Sequence, residues 1–181
     1  MAGKPVLIIQ CGAKKLAHKA LVRDLYLGPF WSTYRARRKE QDGMMGDHSE
    51  LAVFVLSAKH GLVAEGDEIE PYDMRIVPAG FFGRRSRDGC ALVPADTLSD
   101  TIRDQAVDLG LARRDVFFVG GKDYAEALDL AGVEFESLSD GGLLAKRSAL
   151  NRFLTDNPSS MVPESGDALG MALARVRIGG R

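Results

Sequence analysis

The sequence has little of several residue types and patterns, and each shortage excludes a class of protein. Its 181 residues include 24 basic and 25 acidic side chains, a net charge of -1 that excludes a histone-like protein binding DNA through bulk charge. The only two cysteines, Cys11 and Cys90, are too few for a disulfide scaffold and are typical of a reducing, cytoplasmic compartment. The opening segment MAGKPVLIIQCG has only five apolar residues in succession, so we expect no signal peptide or membrane span there.

Several cofactor motifs are missing as well. The spacing GxxxxGK[ST] of an ATP-hydrolysing loop does not occur, and neither do the CxxC and HExxH patterns of zinc sites. The three histidines, His18, His48 and His60, are scattered along the chain. We therefore expect neither a metal nor another cofactor. Apolar residues make up 45% and charged residues 27% of the chain, which is typical of a globular protein and excludes disorder of the whole chain.

The balanced charge is unevenly distributed along the chain. Residues 1–41 carry nine cations and two anions, which leaves 15 cations and 23 anions for the remainder. A basic segment within an acidic domain suits a polyanion such as nucleic acid, but it is equally typical of the solvated face of a helix. If the segment binds DNA, the candidate phosphate-binding residues are Lys14, Lys15, Arg35, Arg37 and Arg38.

Apolar periodicity predicts alternating strands and helices. Three buried strands are predicted over residues 5–10, 51–56 and 116–119, with an edge strand over 133–137. Helices are predicted over residues 31–41, 94–109, 122–131 and 142–155. This order predicts a single α/β three-layer sandwich with a mainly parallel sheet of four or five strands and helices on both faces. Residues 1–156 form the predicted domain, and residues 157–181 a tail that is either a short helix or disordered.

Unusual residues follow the predicted strands, where ligands bind in open α/β sheets. The segment after the second strand, Ser57–Leu62, contains Lys59 and His60, whose pKa values burial would lower. The acidic segment that follows ends in Pro71-Tyr72-Asp73, where the proline restricts the chain. We predict Asp73, His60 and Lys59 as catalytic residues, with the choice of proton donor between Lys59 and His60 left open.

A second group of residues is predicted to bind a base. Small residues let a ligand approach the backbone, and tyrosines provide stacking surfaces. The predicted base-binding residues are Cys11, Gly12, Tyr26, Ser57, Tyr72, Gly120, Gly121 and Tyr124. Alternatives remain for some of them: Cys11 is either a nucleophile or, more often for such a thiol, a buried apolar residue, and Tyr26 is either a stacking surface or an apolar plug.

Four motifs in fixed order resemble a family of uncharacterised bacterial and phage domains. They are Cys11-Gly-x-x-Lys15, Asp24-Leu-Tyr-x-Gly-Pro-Phe30, Leu56-Ser-Ala-Lys-His-Gly-Leu62 and Ile69-x-Pro-Tyr-Asp73. The set is distantly similar to the CSxxK-bearing domain of archaeosine synthase and to YaaA-like peroxide-stress proteins, although Gly12 stands where related motifs often have Ser. The match covers about residues 5–130.

The resemblance implies an α/β domain that acts on nucleobases or modified DNA, including in antiphage defence. The resulting hypothesis is a DNA glycosylase that flips a modified base out of the helix and cleaves its N-glycosidic bond. Two alternatives stay open: a non-catalytic nucleic-acid-binding module, and a hydrolase or transferase of free nucleosides or nucleotides. DNA is the expected partner, no membrane contact is expected, and the sequence does not predict the oligomeric state.

Overall fold

The computed structural model describes residues 3–42 and 51–156. The predicted tail, residues 157–181, lies outside the described residues, and the domain boundary at residue 156 stays a prediction. The described strands are β1 (Val6–Gln10), β2 (Ala20–Leu21), β3 (Ala52–Ser57), β4 (Gly61–Ala64), β5 (Glu68–Ile69), β6 (Met74–Val77), β7 (Ala91–Pro94), β8 (Val116–Val119) and β9 (Glu136–Ser137). The described α-helices are α1 (Val22–Leu25), α2 (Pro29–Asp42), α3 (Ala95–Asp108), α4 (Lys122–Leu130) and α5 (Leu143–Asp156), and a short 3₁₀ helix covers Leu111–Arg113.

A five-stranded sheet in the order β4-β3-β1-β8-β9 forms the centre of the fold. Strands β3, β1, β8 and β9 run parallel, and β4 pairs antiparallel with β3 at one edge. The central strand β1 is apolar at four successive positions, Val6–Ile9, and all four are fully buried. A strand covered on both faces needs such a continuous apolar run, which is why the sequence predicts it well. The predicted mainly parallel α/β fold is confirmed.

The helices form two pairs, α2 with α5 and α3 with α4. The crossover from β1 through α2 moves toward β3, whereas the crossover from β8 through α4 moves in the opposite direction, to β9. Since crossovers between parallel strands are right-handed, the two directions place α2 and α4 on opposite faces of the sheet. On the face of α5, the ring of Phe117 lies 4.7 Å from that of Phe153. The sheet is therefore sandwiched between two helical layers.

Two local predictions need correction. The segment after β3 contains a strand that the sequence analysis did not predict, because Ser57 pairs with Gly61 in a tight hairpin and the chain returns immediately as β4. The edge strand predicted over 133–137 is paired only at Glu136–Ser137. Its first residue, Val133, instead closes the end of α4 through an N–H bond to the Leu128 carbonyl of 3.0 Å.

Two small sheets lie outside the central one. Strand β2 pairs antiparallel with β5, and β6 pairs parallel with β7. The loop that joins β6 to β7 spans residues 78–90, and both strands begin close together because the Ala91 N–H donates to the Asp73 carbonyl at 3.0 Å. The β6–β7 pair brings Asp73 to the region beyond the sheet, since β6 also contacts α4. Among the described residues, no helix is both long and apolar enough to cross a membrane.

Replacing Gly61 by Ala should destabilise the protein. Gly61 has a φ of 72°, and a Cβ there would lie 2.2 Å from Oε1 of Gln105. That amide side chain holds the hairpin, because it accepts from the Leu62 N–H at 2.7 Å and donates to the His60 carbonyl at 2.9 Å. We expect the free energy of unfolding to fall by about 1–3 kcal/mol, measured by urea denaturation. The matched control is Gly66→Ala, where a Cβ has nothing within 4 Å. Equal destabilisation of both variants would contradict this account.

Candidate functional site

The loops that follow the three central parallel strands meet at one edge of the sheet. The Cys11 N–H, directly after β1, donates to the Leu56 carbonyl of β3 at 3.0 Å. On the other side, the Gly121 N–H, after β8, donates to Oε1 of Gln10. These bonds bring the first, second and third predicted strand-end segments together, as the crevice rule for α/β sheets predicts.

A cavity of about 430 Å³ opens at this edge, a size within the range of about 300–1,000 Å³ that is usual for small-molecule sites. Five of its lining residues were predicted from the sequence: Asp73, Cys11, Gly12, Gly121 and Tyr124. The other residues that line it are Gln10, Ala13, Met74, Arg75, Ile76, Val77, Asp88, Cys90, Lys122 and Asp123.

Cys11 lies at the inner end of the cavity and is almost completely buried. Its Sγ is 3.1 Å from the hydroxyl of Tyr124. Burial raises the pKa of Tyr124, and the Cys11 sulfur raises it further. The tyrosine therefore stays protonated and can donate its hydroxyl hydrogen, either to the sulfur or to a ligand in the cavity.

The hydroxyl groups of the buried Ser57 and Tyr26 and the half-buried Tyr72 form a hydrogen-bonded chain. Ser57 Oγ lies 2.7 Å from the Tyr72 hydroxyl, which lies 2.8 Å from the Tyr26 hydroxyl. Ser57 Oγ also accepts the N–H groups of Lys59 and His60, at 3.2 and 3.1 Å. With both acceptor positions used, Ser57 donates its own hydrogen to Tyr72, and Tyr72 in turn donates to Tyr26. Ser57 and Tyr72 thus belong to a rigid support for the site.

Lys15 stacks its ammonium group on this support. Its Nζ is 4.4 Å from the ring centroid of Tyr72 and 5.6 Å from that of Tyr26, both within the range of cation–π attraction. Burial lowers the pKa of Lys15, while the neighbouring Cys11 and Asp73 oppose that shift. An ammonium with a lowered pKa is a better proton donor near neutral pH than an exposed one.

Asp73 is exposed at the rim of the cavity, next to Cys90. The pKa of the Cys90 thiol is raised, first by burial and then by its hydrogen bond to the Asp73 carboxylate. Asp73 also raises the pKa of Lys15, as do the two cysteines. One carboxylate, one ammonium and two thiols therefore influence one another electrostatically. An exposed carboxylate beside an ammonium is suited to general acid–base chemistry on a ligand in the cavity.

The predicted catalytic residues Lys59 and His60 do not line this cavity. Lys59 is exposed in the hairpin turn. His60 lies on the other side of Tyr72, with its ring edge-on to the tyrosine at 5.6 Å. Among the described residues its Nε2 atom is buried and has no hydrogen-bond partner. Asp73 contributes to the pKa of Lys15, whereas the pKa of His60 is shifted by burial and by Lys59, so we pair Asp73 with Lys15 rather than with His60.

His60 should make the stability of the protein sensitive to acid. Its pKa is lowered from the usual 6.5, first by burial and then by the charge of Lys59. The unfolded chain therefore binds the proton more readily, so stability falls as the pH drops below about 6.5. We expect the urea midpoint to decrease from pH 7.5 to pH 5 in the wild type and to decrease less in His60→Phe. The exposed His18 provides the control variant His18→Gln, which should behave like the wild type. A His60→Phe variant with unchanged acid sensitivity would refute this role.

The guanidinium of Arg35 forms hydrogen bonds with backbone carbonyls of the protein. Its Nη1 donates to the carbonyls of Arg23 and Tyr26 at 2.7 and 2.8 Å, so it ties α2 to the preceding loop. Tyr26 itself is fully buried, with its ring 5.5 Å from that of Trp31. In this conformation Tyr26 matches the apolar plug, the alternative that the sequence left open, more closely than a stacking surface.

Two further arginines predicted to bind phosphate also have protein partners. Nε of Arg37 donates to Asn151 Oδ1 at 2.7 Å, and Arg38 forms an ion pair with Glu65 at 3.6 Å. Glu65 also accepts the hydroxyl of the buried Tyr34. Of the five predicted phosphate-binding side chains, Lys14 is exposed, and Lys15 lies over the ring of Tyr72.

Gly120 has no side chain, and this allows the ends of β1 and β8 to pack closely. A Cβ there would lie 2.3 Å from the ring of Phe118 and 3.0 Å from Cβ of Gln10. Its carbonyl accepts the ammonium of Lys146 from α5. Gly120 is buried, so its neighbour Gly121 is the member of the pair that faces the cavity.

Sequence reasoning missed several residues of the site. Gln10 positions Gly121 with its side chain, and its carbonyl accepts the indole N–H of Trp31 at 3.0 Å. A polar residue ending an apolar strand was the available signal. Cys90 and Arg75 reach the cavity only through the β6–β7 pair, which no sequence pattern indicated. Among the described residues, no group of three or more His, Cys, Asp or Glu side chains is arranged to hold a metal ion.

Comparison with known proteins identifies the family but no activity. A family of unknown function matches residues 6–137 of the chain, from the first residue of β1 to the last residue of β9. The chain belongs to this family, DUF6884. The DUF6884 match includes the whole central sheet and every residue that lines the cavity. No curated protein and no solved structure matches the chain.

Proposed function

We propose that this DUF6884 protein is a DNA glycosylase that cleaves the N-glycosidic bond of a modified base. The observation that carries the proposal is the Asp73 carboxylate, which lies at the rim of a base-sized cavity and interacts with the Lys15 ammonium. The resemblance of the four motifs to those of nucleobase-related domains supports the same chemistry, because three of the motifs supply residues of this edge: Cys11, Ser57 and Asp73.

Cleavage of the bond from C1′ to the base nitrogen leaves its electron pair on the base and positive charge on the sugar. In our proposal, Asp73 stabilises that oxocarbenium-like charge and takes a proton from the water that adds to C1′. The departing base receives a proton from Lys15, whose pKa burial lowers. His60 and Lys59 remain predicted donors for this step. None of these three side chains lines the cavity, and the interaction of Lys15 with Asp73 is what favours Lys15.

A base in duplex DNA must leave the base stack before it can enter the cavity and its bond to C1′ can be cleaved. In the proposal it enters the cavity between Gly12 and Gly121, whose small size leaves room for a flat ring. Tyr124 and Cys11 close the inner end, where the tyrosine hydroxyl provides a donor to a base carbonyl or ring nitrogen. Tyr26 and Tyr72 support the site from beneath, since their hydroxyls bond each other.

The biological setting follows the resemblance. Excision of modified bases from phage DNA would leave abasic sites in the invading genome and serve antiphage defence. We place this activity in the cytoplasm, where free thiols such as those of Cys11 and Cys90 stay reduced.

The test is mass spectrometry of products after incubation with plain and hypermodified phage DNA. Free modified bases together with an equal number of abasic sites are the expected result, and the Asp73→Asn variant is the matched control. Parallel reactions use the corresponding free nucleosides and nucleotides. Release from nucleosides alone would favour the free-nucleotide hydrolase, and salt-sensitive DNA binding without release would favour the binding module. Either result overturns the proposal.

A further inference from the structure

The loop that joins β6 to β7, residues 78–90, combines an exposed aromatic tip with a cluster of arginines. Phe82 is 98% exposed, the highest exposed fraction among the large apolar side chains of the described residues. Its neighbour Phe81 is 44% exposed and folds back on its own loop, because a Cβ at Gly83 would lie 2.3 Å from the Phe81 ring. The Phe82 ring makes almost no contact with the described residues, so its whole surface is accessible to a partner.

The charge around this tip is positive. Residues 75–90 contain four arginines and a single carboxylate, Asp88. All four, Arg75, Arg84, Arg85 and Arg87, are exposed. Within residues 3–42 and 51–156, none of them forms an ion pair with a carboxylate. Arg85 donates to the Gly89 carbonyl of its own loop at 2.7 Å. Arg35, Arg37 and Arg38 of α2 bind groups on other elements of the protein, so we place the basic surface on loop 78–90.

The loop is held firmly beside the cavity. Its far end folds into a turn, with the Ser86 N–H donating to the Cys90 carbonyl at 2.9 Å and the Leu92 N–H to the Arg84 carbonyl at 3.1 Å. Two of its residues, Asp88 and Cys90, line the cavity itself. The Ala91 N–H then bonds to the Asp73 carbonyl, so the proposed catalytic carboxylate and the loop share one attachment point.

We propose that loop 78–90 is a DNA-insertion loop. Phe82 enters the base stack of duplex DNA at the space that the extruded base leaves, while the neighbouring arginines bind the flanking phosphates. This inference rests on the proposed function, because a loop of this kind is useful where a base must leave the stack. It deepens that proposal by specifying double-stranded DNA as the substrate form.

The chemistry of the loop favours DNA over other macromolecules. A membrane-binding segment needs a broad apolar face, whereas this loop exposes one complete ring, Phe82, and part of a second, Phe81. An apolar wedge between cationic side chains, next to a pocket that accepts one base, matches the arrangement by which proteins unstack a base pair step. Arginines that flank an aromatic ring also suit a polyanion that carries flat stacking surfaces.

The experiment measures affinity for three probes of one sequence: a duplex with a stable abasic-site analogue, the intact duplex and the single strand. Loss of the wedge in Phe82→Ala should weaken binding to the abasic duplex about tenfold or more and leave single-strand binding unchanged. Phe82→Trp should retain the affinity. The control is Val107→Ala, which removes another strongly exposed apolar side chain, on α3. Replacing Arg84 and Arg87 by Gln should make DNA binding less sensitive to salt. The slope of the logarithm of the binding constant against the logarithm of the salt concentration should become shallower by about 0.9 for each phosphate that the variant no longer binds.

The outcomes separate this inference from the proposed function. If the wild type releases bases but Phe82→Ala binds the abasic duplex as tightly as the wild type, the insertion loop is wrong and the glycosylase proposal stands. If no DNA yields free bases but binding to the abasic duplex depends on Phe82, the glycosylase proposal falls and the insertion loop stands. Binding to anionic vesicles that depends on Phe82, without the same dependence for DNA, overturns the inference in favour of a membrane.

Discussion

Asp73→Asn is expected to lower the rate of base release by about 10²–10⁴-fold, the usual contribution of a positioned acid or base. The amide keeps the shape of the side chain but carries no negative charge and takes up no proton from water. Because Asp73 is exposed and lies before β6, the substitution should leave the folded structure intact. The rate is measured by single-turnover release of the modified base, with DNA affinity measured in parallel.

The matched control is Asp88→Asn, which alters the other carboxylate contributed to the cavity by the β6–β7 region. It should retain most of the activity. Asp88 accepts a hydrogen bond from the Ser86 hydroxyl within its own turn, and it is not among the groups that shift the pKa of Lys15. Equal losses in the two variants would show that general negative charge, rather than the position of Asp73, supports the reaction. Unchanged release in Asp73→Asn would remove this residue from the chemistry altogether.

Trp31→Ala is expected to lower the free energy of unfolding by about 3–5 kcal/mol, as for other large buried aromatic residues. Trp31 is 1% exposed and packs its indole 5.5 Å from the ring of Tyr26 and 5.7 Å, edge-on, from that of Tyr34. Its N–H donates to the carbonyl of Gln10 at 3.0 Å, so the same side chain fixes the end of β1. Urea denaturation monitored by circular dichroism measures the change.

Trp31→Phe separates the two contributions. It keeps most of the apolar contact but leaves the Gln10 carbonyl without the indole donor, so we expect a smaller loss of about 1–3 kcal/mol. A comparable loss in both variants would mean that the hydrogen bond rather than the packing dominates. Stability within about 0.5 kcal/mol of the wild type for Trp31→Ala would contradict the placement of this residue in the core.

The central sheet could be predicted because burial imposes a strong pattern on the sequence. Strands β1, β3 and β8 are covered by helices on both faces, so their residues form continuous apolar runs. Strand β4 and the β6–β7 pair have four residues each and are only partly buried, so no comparable run marks them. Their position depends on contacts between residues far apart in the chain, which single-sequence patterns do not contain.

The site could be predicted only in part for the same reason. The rule that ligands bind beyond the carboxyl ends of parallel strands led to Cys11, Gly12, Gly121 and Tyr124, which line the cavity. The functions of cations were harder to predict, because a sequence shows charge but not the partner of each charge. Arg35 binds two backbone carbonyls, and Lys15, expected on a phosphate, lies over the ring of Tyr72.

The chain of hydroxyl groups from Ser57 through Tyr72 to Tyr26 has an evolutionary consequence. Loss of the Tyr72 hydroxyl alone would leave a donor on Ser57 without its acceptor and remove the donor to Tyr26, at a cost that selection would oppose. Loss of the Tyr26 hydroxyl alone would likewise leave Tyr72 without an acceptor in a buried place. Substitution at one tyrosine is therefore conditional on substitution at the other. In diverging members of DUF6884 we expect the two positions to covary. Where both rings lose their hydroxyls, we expect Ser57 to lose its own as well, because its donor would otherwise have no acceptor.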